Sequence, residues 1–281
     1  MNSTIVALGA VAGFTIFLGL PIGRVRHCPL GLRAFLNAAA TGVLVFLLWD
    51  VLTQAVQPLE GALRAASIEH SGPWSEFARL AATFTVCLVI GLLSLVYYDR
   101  SMGARARAVR SGPGAMAVGE LNARDATGLS PARRLAMMIA MGIGLHNFSE
   151  GLAIGQSAAA GELALALALI IGFSLHNATE GFGIVAPMAA QDERPSWAFL
   201  GLLGLIGGGP TLLGTLLGQS FVNKTVFLGF LALAAGSILY VIIQLLGVGA
   251  RLGRKELMMW GLLAGILTGF ATDFVRVAVG A

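Results

Sequence analysis

Charge is scarce in this chain of 281 residues. Asp, Glu, Lys and Arg together make up 11% of it, where a soluble domain carries about a quarter. Two cysteines exclude a disulfide framework. Cys28 falls in a basic stretch and Cys87 deep within an apolar one, so the two are not expected to pair. No P-loop is present, which removes ATP as a driver, and the His-Glu-x-x-His word of zinc hydrolases is absent. No soluble nucleic-acid module accompanies the net charge of +4, so no nucleic-acid partner is expected. Met1-Asn2-Ser3-Thr4 carries no basic side chain ahead of the first apolar stretch, so a cleaved secretory leader is not expected.

What the chain has is apolar length. Hydrophobic residues make up 57%, and the mean hydropathy is +0.83. This composition belongs in a bilayer, and the 38 glycines suit helices that approach closely within it. Eight stretches are near the length that crosses about 30 Å of hydrocarbon. They run Thr4–Gly23, Leu32–Val56, Phe77–Tyr98, Arg134–Ala158, Glu162–Ala189, Trp197–Leu217, Thr225–Val248 and Leu257–Val279. The expected fold class is an all-α polytopic membrane protein of eight transmembrane helices, one domain spanning 1–281.

Positive charge orients these spans. Of the 18 Lys and Arg residues, all but Arg64, Arg79, Lys224 and Arg276 lie in loops after odd-numbered spans. The asymmetry puts those loops in the cytoplasm and both termini outside a cell membrane. The longest loop, about 99–133, is rich in Gly, Ala and Arg and is expected to be mobile and cytoplasmic. Ser130-Pro131 at its end should cap and start the fourth helix.

Two copies of one six-residue word stand thirty positions apart, His146-Asn147-Phe148-Ser149-Glu150-Gly151 and His176-Asn177-Ala178-Thr179-Glu180-Gly181. Around them Gly142 matches Gly172, and Leu145 matches Leu175. Each word puts a histidine and a glutamate on one helix face. A short turn near Ala158–Gly161 makes the two spans antiparallel neighbours. At 1.5 Å per residue, both histidines then lie roughly 20–25 Å below the turn.

Ionisable groups at that depth need partners. Two carboxylates close together repel in low dielectric. A divalent cation neutralises both and accepts neutral imidazole nitrogens. A set of His146, Glu150, His176 and Glu180 suits Zn²⁺, or Fe²⁺, Mn²⁺, Co²⁺ or Cd²⁺. Asn147 and Asn177 can add amide oxygens or hydrogen-bond the ligands. A metal-free polar clamp and a bis-histidine haem are the competing readings of the same pair of words.

The paired words resemble the signature of the ZIP (Zrt/Irt-like protein) family of divalent metal transporters, nearest its GufA-like bacterial branch. The likeness extends to the eight spans, the outside termini and the long loop between spans three and four. It implies a ZIP-like fold and passage of divalent transition metals into the cytoplasm through a site between spans four and five. It also implies elevator-type alternating access, with spans one, four, five and six moving against two, three, seven and eight. Acidic residues at the external entrance would be Asp50 and Asp273.

Three departures from the family pattern stand out. Ser149 and Thr179 occupy positions where proline is usual. Gly208-Gly209-Pro210 replaces an Ala-Glu-Pro whose glutamate bridges a second metal, and Asn177 replaces an aspartate of some relatives. One metal per chain is therefore expected. The metal is cargo, so no catalytic cofactor and no enzymatic activity are expected. An intramembrane zinc hydrolase and a metal-selective channel are the alternatives. The partners are divalent ions and lipid, with a homodimer as one form of assembly.

Overall fold

The computed structural model describes residues 3–25, 29–110, 129–161, 163–190, 193–220 and 223–278, apart from the side chains of Asp99, residues 102–110, Ala168, His176, Ala190 and Arg276. The description is all-helical. Helix α1 is Ser3–Phe14, extended by 3₁₀ turns at Thr15–Leu18 and Leu20–Arg24. There follow α2 (Leu30–Ser67), α3 (Trp74–Arg110), α4 (Pro131–Ala159), α5 (Leu163–Ala190), α6 (Trp197–Gly218), α7 (Lys224–Leu252) and α8 (Lys255–Ala278).

Among the described residues, seven helical segments are long and apolar enough to cross a membrane. The eighth expected span, α4, is 29 residues long and is not among the seven. It carries Arg133, Arg134, His146 and Glu150, and it is buried along most of its length. The architecture is compatible with a polytopic membrane protein.

Local chemistry sets several ends. The Ser130 side chain accepts from Arg133 N, with Pro131 opening α4 as the sequence predicts. Ser196 caps α6 through Phe199 N, and Asn223 caps α7 through Thr225 N and Val226 N. Gly253 closes α7 in the left-handed region (φ 68°), a conformation that glycine adopts without a Cβ penalty.

Two expectations need correction. The loop does not begin at Asp99, because α3 runs on to Arg110. Its last turns are rich in Ala and Arg, both strong helix formers. Residues 111–128 of that loop lie outside the described residues, as do His27, Cys28 and Glu162. The first span, expected as one helix, changes to 3₁₀ turns at Thr15. Pro21 opens the second of these turns and cannot donate to an α-helical ladder. Gly19 and Gly181 bring the backbones of span one and α5 together, and a Cβ on Gly181 would meet the Ile16 carbonyl group.

The bundle packs as two groups. Span one, α4, α5 and α6 pack on one another, and α2 packs on α3, α7 and α8 with α3 against α7; between the groups α4 meets α7, and α5 meets α2 and α8. Within each group, helices touch backbone to backbone across glycine. Gly151 and Gly214 lie in the α4–α6 seam, Gly42 and Gly265 in the α2–α8 seam, and Gly91 and Gly236 in the α3–α7 seam. Between the groups the contact is a layer of side chains, including Leu44, Leu47, Ile139, Ile143, Met188 and Val241. The Phe148 and Phe230 rings meet there, centroids 4.4 Å apart.

Candidate functional site

The paired words fall in the middle of α4 and α5, which run unbroken through Ser149 and Thr179. Ser149 turns its hydroxyl back toward the Leu145 carbonyl at 3.4 Å. His146, Asn147 and Glu150 are buried on α4, as are Asn177 and Glu180 on α5. One helical turn brings His146 Nε2 within 3.2 Å of Glu150 Oε1. His146 interacts electrostatically with Glu150, Glu180 and Asp50. Glu150 and Glu180 also sense one another.

The asparagines act as cross-helix clamps. Asn147 Nδ2 donates to Glu180 Oε2 at 3.1 Å and to the Gly207 carbonyl at 3.0 Å, joining α4, α5 and α6. Asn177 Nδ2 donates to the Ala12 carbonyl at 3.0 Å. The same carbonyl accepts from the Thr15 hydroxyl at 2.6 Å. The change to 3₁₀ geometry at Thr15 releases it from α-helical pairing.

Four buried neutral oxygens receive no hydrogen bond among the described residues: Asn147 Oδ1, Asn177 Oδ1 and Thr211 Oγ1 on α4, α5 and α6, and Asn37 Oδ1 on α2. Buried oxygens are normally satisfied, so the three on α4, α5 and α6 leave acceptor capacity close to the two paired words. Among the described residues no three His, Cys, Asp or Glu side chains gather closely enough to hold a metal ion. The side chain of His176, the fourth expected ligand, lies outside that description.

On α6, among the described residues, a Cβ at Gly209 would meet Leu205 Cδ1 at 3.5 Å. The inward position is Gly207, whose carbonyl Asn147 grips, and a Cβ on Gly13 of α1 would touch Thr211. Gly207 and Thr211 themselves supply no carboxylate.

The two expected entrance residues come together with the site. Asp50 of α2 and Asp273 of α8 line one cavity with Glu150, closed in by Phe46, Phe173, Gly172 and Thr272. Its volume is about 10 Å³, the space of roughly one water. Gln54 Nε2 steadies Asp50 Oδ2 at 2.7 Å. The side chain of Arg276, three residues after Asp273, lies outside the described residues. Sequence reasoning missed Gln54, Phe173, Thr211 and the Ala12 carbonyl. Only Gln54, one turn after Asp50, carried a local signal.

Fold and site define a class: an all-helical bundle, compatible with a membrane, that buries carboxylates, an imidazole and amides in the seam of two antiparallel helices. No protein-family model and no curated protein matches the chain.

Proposed function

We propose that this chain carries divalent transition-metal ions, Zn²⁺ foremost, across a cell membrane into the cytoplasm, as a ZIP-type carrier. The observation that carries the reading is the burial of His146 against Glu150 on α4, with Glu180 of α5 held to the same helix by Asn147. An ionisable side chain at the centre of a membrane helix costs about 2.5–3.5 kcal/mol on insertion scales. A fold that keeps several there uses them. A doubly charged ion offsets the carboxylate repulsion and takes up the donor-free oxygens of Asn147 and Asn177.

His146, Glu150, His176 and Glu180 are the proposed ligands of one cargo ion. Asp50 and Asp273 attract it at the outer mouth and pass it to Glu150, with which they share a cavity. That cavity is too small for a hydrated ion, so passage needs movement. Two glycine-seamed groups meeting across a side-chain layer support an elevator motion of span one, α4, α5 and α6 against the rest. The arginine-rich loops face the cytoplasm and both termini lie outside.

The test is ion flux into liposomes holding the purified chain, read with Zn²⁺, Cd²⁺, Fe²⁺ and Mn²⁺ in competition. A carrier gives slow, saturable, mutually competitive uptake. Uptake at diffusive rates without competition identifies a channel. Cleavage of peptide or lipid without flux identifies a hydrolase.

A further inference from the structure

At the opposite, arginine-bearing end of the bundle, α4 and α7 part around a cavity of about 210 Å³. The helices are antiparallel here: α4 begins and α7 ends beside it. Matching stripes at i, i+3, i+4 and i+7 face each other, from Pro131 to Met138 on one side and from Gln244 to Arg251 on the other. Seven residues of helix make the cleft about 10 Å deep.

Its chemistry is graded. Arg134 and Arg251 stand near the helix ends, Val248 and Gly247 come next, and Met138 and Gln244 lie deepest. No carboxylate lines it among the described residues. The neighbouring Arg133 is directed elsewhere, paired with Glu193 at 2.7 Å and lying over the Phe199 ring. Ile243 and Leu246 are exposed on α7 beside the cleft and present an apolar flank to the bilayer.

We propose that this cleft binds the phosphate headgroup of an anionic lipid. Two guanidiniums at the membrane boundary are a bidentate phosphate grip, and basic clefts between membrane helices take such headgroups. The exposed apolar flank of Ile243 and Leu246 favours a phosphate that brings acyl chains with it over a free one. The site lies between the two helix groups, away from His146 and Glu150, and does not depend on the transport reading.

The test is native mass spectrometry of the detergent-purified full chain, titrated separately with phosphatidylglycerol, phosphatidylcholine and inorganic phosphate. The parent should retain one phosphatidylglycerol in preference to phosphatidylcholine. Arg134→Gln with Arg251→Gln should weaken retention about 30-fold, from about 1 kcal/mol per basic residue near an anionic surface. Gly247→Leu is the second variant. Among the described residues a Cβ there meets nothing within 4 Å, so the side chain has room in the cleft, and it should displace the lipid with both arginines in place. Displacement by millimolar inorganic phosphate would keep the phosphate grip and reassign its source to free anion. Equal retention of both lipids by the parent, or undiminished retention in both variants, would overturn the proposal.

Discussion

Asn147 and Glu180 face each other across the α4–α5 seam, Nδ2 to Oε2 at 3.1 Å, with neither side chain exposed. The second residue of one word thus holds the fifth residue of the other. Asn177 does not return the contact to Glu150; its amide nitrogen reaches Ala12 of span one instead. The repeat is symmetric in sequence and asymmetric in use.

Asn147→Asp puts a carboxylate where a donor held one. Without metal, like charges meet in a buried seam, and the hydrogen bond to Gly207 is lost with them. The metal-free chain should lose about 1–3 kcal/mol, the cost of unsatisfied buried groups. Added Zn²⁺ should restore more thermal stability in this variant than in the parent, because the extra charge strengthens a cation site. Melting curves with and without Zn²⁺ measure this. A loss that Zn²⁺ does not repair would count against a cation in the seam.

Glu180→Ala removes a proposed ligand while Asn147 keeps its bond to the Gly207 carbonyl. The fold should hold by circular dichroism, and uptake should fall by more than about 100-fold, beyond the usual loss on removing an outer-shell partner. His176→Ala should lower affinity and reorder competition among Zn²⁺, Cd²⁺ and Fe²⁺. Parental uptake in the first variant, or parental competition in the second, would remove that residue from the ligand set.

Acid should slow uptake. Imidazole and carboxylate bind metal only when deprotonated, so protons compete for the site and affinity falls as pH falls. Initial rates at subsaturating Zn²⁺, measured with the inside pH fixed and the outside pH lowered, should decline steadily. Rates that rise in acid would instead indicate proton-driven exchange and a different site chemistry.

Asp50→Asn with Asp273→Asn strips two negative charges from the cavity that also holds Glu150. If these residues gather cations, KM should rise several-fold with little change in kcat, and the effect should shrink at high salt, which screens attraction at an open mouth. An unchanged KM would leave the two carboxylates as packing features of α2 and α8.

Much of this organisation is legible in the residues. Ser130-Pro131 announces the start of α4, and the repeated word marks the seam with its carboxylates and amides. In span one Pro21 warns of a change in the helix, but its start at Thr15 is not legible, because Thr15–Gly19 is as apolar as its surroundings; there Gly181 sits closely against Ile16. The Ala12 carbonyl became visible as Asn177's acceptor only once that break was seen.

The two-group packing makes a prediction that separates stability from motion. A Cβ on Gly151 would fall 2.9 Å from Thr215 N, backbone that cannot yield. Gly151→Ala should therefore open the α4–α6 seam and cost at least about 2 kcal/mol, as overpacking does. Gly142 faces the other group, where a Cβ would meet Ser237 Cβ at 3.2 Å, a contact eased by a shift of a few tenths of an ångström. There Gly142→Ala also gains about 1 kcal/mol of helix propensity, so the melting temperature should stay near the parent's. If the groups slide past each other at this face, the added methyl should still change the transport rate. Melting in detergent and flux in liposomes read the two effects independently. A stable Gly151→Ala would show that the close seam is dispensable, and a Gly142→Ala with parental flux would remove sliding at the α4–α7 face from the mechanism.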